Sequence, residues 1–190
     1  MEEWTMGKLI FITGGARSGK SSYAERLAED IKGNILYIAT AIPFDDEMKL
    51  RIKKHIERRP KNWTTLEAYK NFNIKLPELL EDKSGVLLDC ITNMVSNLIL
   101  EKCDDEMNIK ILEAQDIQKY VEEEIEKLMK VVEKEEIPFI MVTNEVGMSL
   151  VPEYPLGRVF RDIAGTVNQM IAAKADEVYF CVSGIKIKIK

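Results

Sequence analysis

The chain has 190 residues, with 27 Lys and Arg against 32 Asp and Glu, a formal charge of −5. That length suits one domain with a single sizeable core. The acidic balance excludes a general nucleic-acid binder, with only local basic stripes left open, and no apolar run approaches membrane-spanning length.

Met1 to Met6 reads as a short polar leader. It lacks the basic and apolar regions of a signal peptide. The expected organisation is a leader over 1–7 and one domain over 8–190. Lys8 to Thr13 is apolar and partly β-branched, a good buried strand. Gly14 to Ser21 follows as GGARSGKS, which fits the phosphate-binding pattern G-x-x-x-x-G-K-[ST]. Ser21 to Ala28 then opens a helix. Strand, glycine loop and helix are the context this motif requires. Its residues Gly14, Gly15, Ala16, Arg17, Ser18, Gly19, Lys20 and Ser21 are expected to bind nucleotide. The glycines let main-chain N–H groups converge on phosphate oxygens. The helix N-terminus adds the positive end of its dipole. Lys20 is expected at the β- and γ-phosphates and Ser21 on Mg²⁺.

Gly33 is placed to cap the first helix. Asn34 to Thr40 reads as a second buried strand. Phe44 to Arg59 reads as a helix, with Met48, Ile52 and Ile56 on one stripe. Pro60 stops it. Trp63 to Glu67 looks like a short strand, and Asn71 to Glu81 like a weaker helix interrupted by Pro77. Gly85 to Asp89 is a clear strand ending in an acid. Thr92 to Lys102 continues as helix, and Cys103 to Asn108 is a polar connection. Ile109 to Glu136 has charged residues around a stripe of Ile117, Val121, Ile125, Leu128 and Val132, a long surface helix with one packed face. Ile137 to Thr143 is a strand, with Pro138 near its start. Asn144 to Pro155 is a loop, Leu156 to Lys174 a helix, and Asp176 to Ser183 a strand. Ile185 to Lys190 alternates apolar and charged, as an edge strand should. Alternating strands and helices predict an α/β fold: a P-loop domain of the RecA-like type, with a mainly parallel sheet and an antiparallel C-terminal edge strand.

The phosphate loop creates a need for an acid near the metal, and Asp89 ends a strand in the manner of a Walker-B residue. Cys90, Cys103 and Cys181 form no C-x-x-C pair. They read as reduced, mostly buried thiols of a cytoplasmic protein. The single histidine, His55, lies between Arg51 and Arg59 at helical spacing. Two readings fit this stripe. It is a solvated basic face with an incidental histidine, which charge runs usually are. Or it attracts triphosphate, and its cations keep the imidazole neutral and able to attack phosphorus. Asn144-Glu145 could face substrate or cap its loop. Arg158, Arg161 and Asp162 could bind phosphate or form a salt bridge between subunits.

Longer blocks go beyond the generic loop. These are Thr13–Ser21, Leu36–Thr40, Asp45–His55, Arg59-Pro60 with Trp63, Thr143–Met148, Val151–Glu153, Phe160–Gln169, Ala175–Val178 and Val182–Lys190. On them the chain closely resembles the bifunctional adenosylcobinamide kinase/adenosylcobinamide-phosphate guanylyltransferase family of cobalamin assembly. The resemblance implies two reactions. ATP or GTP phosphorylates adenosylcobinamide. A histidine then attacks the α-phosphorus of GTP, and the guanylyl group passes to adenosylcobinamide phosphate. It implies His55 as the nucleophile. It implies nucleotide contacts at Gly14–Ser21, at Ile38, Ala39 and Thr40, at Ile56, Glu57, Arg58 and Arg59, at Glu67, and at Asp89, a site often occupied by Glu in the family. It also implies Mg²⁺ as cofactor and a homotrimer. The rivals are a simple P-loop kinase, which has no need of His55, and a nucleotide-dependent binding module. A regulatory GTPase is disfavoured because Asn144-Glu145-Val146-Gly147 stands where an N-K-x-D motif would.

Overall fold

The computed structural model describes residues 7–42, 60, 62–103, 105, 107 and 109–190. The helix expected over 44–59, with His55, Ile56, Glu57, Arg58 and Arg59, lies outside the described residues.

The described chain forms β1 (Leu9–Gly14), α1 (Lys20–Asp30), β2 (Ile35–Ala39), β3 (Thr64–Glu67), α2 (Phe72–Leu80) and β4 (Gly85–Asp89). It continues with α3 (Ile91–Lys102), α4 (Ile111–Val132), β5 (Phe139–Val142), α5 (Pro155–Lys174), β6 (Glu177–Val182) and β7 (Ile185–Lys188). One seven-stranded sheet runs in the order β3-β2-β4-β5-β1-β6-β7. All neighbours are parallel except β6 and β7. The expected mainly parallel α/β fold with its antiparallel C-terminal edge is therefore present.

Burial on both faces explains why the central strands read as unbroken apolar runs. In β1, Ile10 and Ile12 face α1, where they meet Tyr23, Ala24, Leu27 and Ala28. Leu9 and Phe11 face the other way, toward a larger core shared by α2, α3, α4 and α5. Each fully buried side chain of this size contributes roughly 1.5–3 kcal/mol.

Three local expectations change. The αL residue directly after α1 is Lys32 (φ 54), and Gly33 follows it with a positive φ of 134. Gly33 is needed for a second reason: a Cβ there would lie 2.2 Å from Ser84 Oγ. Pro77 does not interrupt α2 but sits inside it. Its missing N–H removes the bond to the carbonyl of Asn73, an exposed residue, while Phe72, Leu76 and Leu80 hold the helix to the core. The long helix is shorter than expected at both ends: Lys110 is extended (φ −83, ψ 154), with its N–H donating to Glu113 Oε2 at 3.4 Å, and the helix ends at Val132 rather than Glu136.

The C-terminal hairpin is tied to the start of β1. Burial by itself would raise the Glu177 carboxyl, but hydrogen bonds from Lys188, Lys8 and Tyr179 outweigh it and hold the group at about 2. The Lys8 contact is 3.0 Å and the Tyr179 hydroxyl donates at 2.9 Å. Glu177 thus stays ionised in the folded chain at pH values where unfolded carboxyls, with pKa about 4.3, take up protons. Its stabilisation is complete above that value and is lost as pH falls toward 2. Glu177→Gln is expected to lower the unfolding free energy at pH 7 by on the order of 2 kcal/mol. Urea titrations at pH 7, 4 and 3 should show the gap from wild type closing with acidity.

Candidate nucleotide site

The loop between β1 and α1 is held open by contacts that leave no room for side chains. A Cβ on Gly14 would lie 2.4 Å from the Cys181 carbonyl oxygen of β6 and 2.7 Å from Ser18 Oγ. Gly19 has φ 92, and a Cβ there would meet Gly184 Cα at 3.2 Å. Arg17 is also left-handed (φ 56) and exposed at the loop apex. The Gly15 carbonyl accepts Ser18 N–H at 3.3 Å and Lys20 Nζ at 3.0 Å, which draws the lysine back over the loop.

The loop is also tied from outside. Glu145 N–H donates to the Gly14 carbonyl and Gly184 N–H to the Ser18 carbonyl, both at 3.0 Å. A trans peptide points its N–H opposite to its C=O. Each outside donor therefore turns the next N–H, of Gly15 or Gly19, away from itself. No side chain caps the α1 N-terminus. Its first N–H groups and Ser18 Oγ, buried without a hydrogen-bond partner among the described residues, suit an anion.

Register places the acids. Asp89 pairs with Ala39 on one side and Val142 on the other, at the same sheet edge as the loop. Leu87 packs on the α1 side and Leu88 on the opposite side, so alternation turns Asp89 toward α1. Among the described residues no group of three or more His, Cys, Asp or Glu converges. A closed protein cage for a metal is therefore not formed by them. The Ser21 hydroxyl and the Asp89 carboxylate are hard oxygen donors of the kind Mg²⁺ uses when phosphates and water complete its shell. Those two residues would hold it, and bound there it would neutralise phosphate charge.

Other expected contacts are placed differently. Ile38 is fully buried in the larger core, so its side chain is closed to a ligand. Thr40 spends its hydroxyl on the Cys90 peptide, donating to the carbonyl at 2.6 Å and accepting N–H at 2.9 Å. Asn97 Nδ2 takes the Thr40 carbonyl at 2.7 Å. Thr40 is a brace between β2 and α3. Ala39 and Glu67 are register partners at the same edge. Four strand spacings separate β3 from β1, about 19 Å, so Glu67 is remote from the phosphate loop.

Glu145 Oε1 accepts Gly147 N–H at 2.7 Å and so caps its own loop. Arg158 donates to the Pro152 and Glu153 carbonyls, at 3.0 and 2.6 Å, and Arg161 pairs with adjacent Asp162. The Glu145 contact is the loop cap expected as the alternative to substrate binding, and the arginine contacts lie within the chain. Burial, followed by the charge of Asp89, pushes the Cys90 thiol up to about 12. Cys181 is also raised by burial, against the pull of Lys20 and Lys186. Neither is a thiolate nucleophile near neutral pH.

Sequence reasoning missed one group. Thr92 on α3, Thr143 after β5 and Asn168 on α5 meet around the Asn144 peptide. Asn144 N–H donates to Thr92 Oγ1 at 2.6 Å, and the hydroxyls of Thr92 and Thr143 are 3.2 Å apart. Thr143 donates to Asn168 Oδ1 at 2.8 Å, and Asn168 Nδ2 to the Asn144 carbonyl at 3.3 Å. A threonine directly after an apolar strand was the available signal.

A phosphate loop between first strand and first helix, with an acid at the end of β4, defines a P-loop nucleotide-binding protein of the α/β class. The fold is RecA-like. The flagellar accessory protein FlaH from Methanocaldococcus jannaschii matches over 98% of this chain and 80% of its own, with a TM-score of 0.50 at 17% identity, a likeness of fold alone. Residues 10–189 match the family described as cobinamide kinase / cobinamide phosphate guanyltransferase, and the chain belongs to that family. It is 43% identical over 186 residues to the bifunctional adenosylcobalamin biosynthesis protein CobU of Escherichia coli (strain K12), covering 96% of this chain and 99% of that one. The CobU protein of Salmonella typhimurium gives the same identity and coverage. The corresponding CobP protein of Pseudomonas aeruginosa is 37% identical over 179 residues.

Gly14→Ala tests the loop geometry. Both the Cys181 carbonyl and Ser18 Oγ stand in the way of the added Cβ, so GTP affinity is expected to fall more than about tenfold, measured by equilibrium titration. The melting temperature should fall as well.

Proposed function

We propose that this chain is a bifunctional adenosylcobinamide kinase and adenosylcobinamide-phosphate guanylyltransferase of adenosylcobalamin biosynthesis. The observation that carries the reading is the family match across residues 10–189, joined to a phosphate loop whose backbone geometry suits a triphosphate. In the first reaction the substrate hydroxyl attacks the γ-phosphorus of ATP or GTP. The bond to the β-phosphate breaks, the nucleoside diphosphate leaves and the hydroxyl proton passes to solvent. Lys20, the α1 N-terminus and the loop N–H groups hold the phosphates and offset developing charge. Ser21 and Asp89 would hold Mg²⁺, which would supply neutralisation of the phosphate charge.

In the second reaction a neutral nitrogen of His55 attacks the α-phosphorus of GTP. A P–N bond forms, the α–β anhydride breaks and pyrophosphate leaves. A phosphate oxygen of adenosylcobinamide phosphate then attacks the same phosphorus. The P–N bond breaks, the imidazole is regenerated and adenosylcobinamide-GDP is released. Ile56, Glu57, Arg58 and Arg59 belong with the nucleotide next to His55. Ala16 and Arg17 belong to the loop around the phosphates, and Ala39 and Glu67 to the nucleotide's wider surroundings.

His55→Ala is expected to abolish guanylyl transfer, by 10³-fold or more on the order of a lost nucleophile, while cobinamide phosphorylation largely survives. α-Labelled GTP should leave acid-labile, alkali-stable label on denatured wild type and none on the variant. Lys20→Ala should depress both reactions. Equal loss of both activities in His55→Ala would make the histidine a nucleotide-positioning residue.

The family resemblance supports a cytoplasmic homotrimer. No described helix is long and apolar enough to cross a membrane. Light scattering is expected to return three times the mass of 21.8 kDa; a monomer would remove the trimer from the scheme.

A further inference from the structure

The hydrogen bonds around Asn144 have one consistent direction. The Asn144 carbonyl can only accept, so the amide nitrogen of Asn168 must face it and Oδ1 must face Thr143. Thr143 then donates to Asn168 and accepts from Thr92. Thr92 in turn accepts the Asn144 N–H. The ring starts and ends on one residue and holds both its N–H and its C=O.

The peptide joining Asn144 to Glu145 carries this order outward. Its carbonyl is held by Asn168, and its N–H, belonging to Glu145, points away and donates to the Gly14 carbonyl. The next plane, Gly14 to Gly15, repeats the arrangement. Its carbonyl is held by Glu145, so its N–H points away from Glu145. The sequence is Asn168 amide, peptide 144–145, peptide 14–15, then ligand.

We propose that Asn168, oriented by Thr143 and Thr92, is a positioning residue for nucleotide phosphate, acting through two successive peptide planes that aim the Gly15 N–H. The inference rests on the reading of Gly14–Ser21 as a nucleotide site. Each donor in the chain points the same way, so the bonds polarise one another and strengthen the last N–H toward an anion. The ring sits on the α5 side of the sheet, whereas Lys20 opens α1 on the other. Phosphate affinity is thereby linked to a helix that supplies no residue to the loop.

Asn168→Asp is the direct test. It keeps the shape and the acceptor for Thr143 but removes the donor to the Asn144 carbonyl. GTP affinity, measured by titration with the full-length protein, is expected to weaken about tenfold. In ¹⁵N-resolved spectra the Gly15 amide should lose most of the downfield shift that GTP induces in wild type. Thr143→Val should act in the same direction, and Thr143→Ser, which keeps the hydroxyl, should stay within about threefold of wild type. The double variant Thr143→Val/Asn168→Asp should bind no more weakly than Asn168→Asp, because one relay is broken once. Should Asn168→Asp fail to fold, Thr143→Val against Thr143→Ser carries the same comparison.

Wild-type affinity and an unchanged Gly15 shift in the variants, with only a lower melting temperature, would reduce the ring to a structural brace and overturn the proposal. A wild type that binds GTP but transfers no guanylyl group would defeat the functional reading and leave the relay standing. A wild type that binds no nucleotide would defeat both.

Discussion

A phosphate site built from main-chain N–H groups depends on peptide planes that cannot turn. At Gly14 this is achieved by crowding. The β6 carbonyl of Cys181 and the hydroxyl of Ser18 approach so closely that no Cβ can be present. Register brings them together, because Gly14 and Cys181 are paired residues of adjacent parallel strands. The loop is therefore an extension of the sheet as much as a local motif. Its outward carbonyls are held by segments far away in sequence, Glu145 after β5 and Gly184 in the terminal hairpin.

The two faces of the sheet divide the labour. Among the described helices, α1 alone packs against Ile10, Ile12, Tyr37, Leu87 and Val142, and its N-terminus belongs to the site. The other face carries the larger core under α2 to α5. That face is well packed, with buried aromatic and branched side chains at its inward positions. It anchors Thr92, Thr143 and Asn168, so the polar ring is set into well-packed surroundings. A polar cluster in that position is stabilising only when every member is satisfied, and the ring closes on itself.

Much of the fold was legible because its signals are local. β4 was read at Gly85–Asp89 as found, since a short apolar run ending in an acid admits few alternatives. The alternation of Ile185 to Lys188 announced the edge strand. Misreadings came where a tertiary contact outweighed a local rule. Gly33 serves its approach to Ser84 rather than the helix cap, and Pro77 is carried inside α2 by the burial of Phe72, Leu76 and Leu80. Thr40 was expected to contact nucleotide, but its hydroxyl belongs to the Cys90 peptide, 50 positions away.

The amino-acid order by itself determined the phosphate loop, the acid at the end of β4, the alternation of strands and helices, and the family to which these blocks point. All of these are carried by neighbouring residues, whose spacing fixes backbone geometry without reference to the rest of the chain. The tertiary structure alone decided the strand order, the distance of Glu67 from the loop, and the ring that orients Asn144. Those depend on which strands lie side by side, and hydrogen-bond partners contributed by α3, α5 and the terminal hairpin leave no periodic trace along the chain.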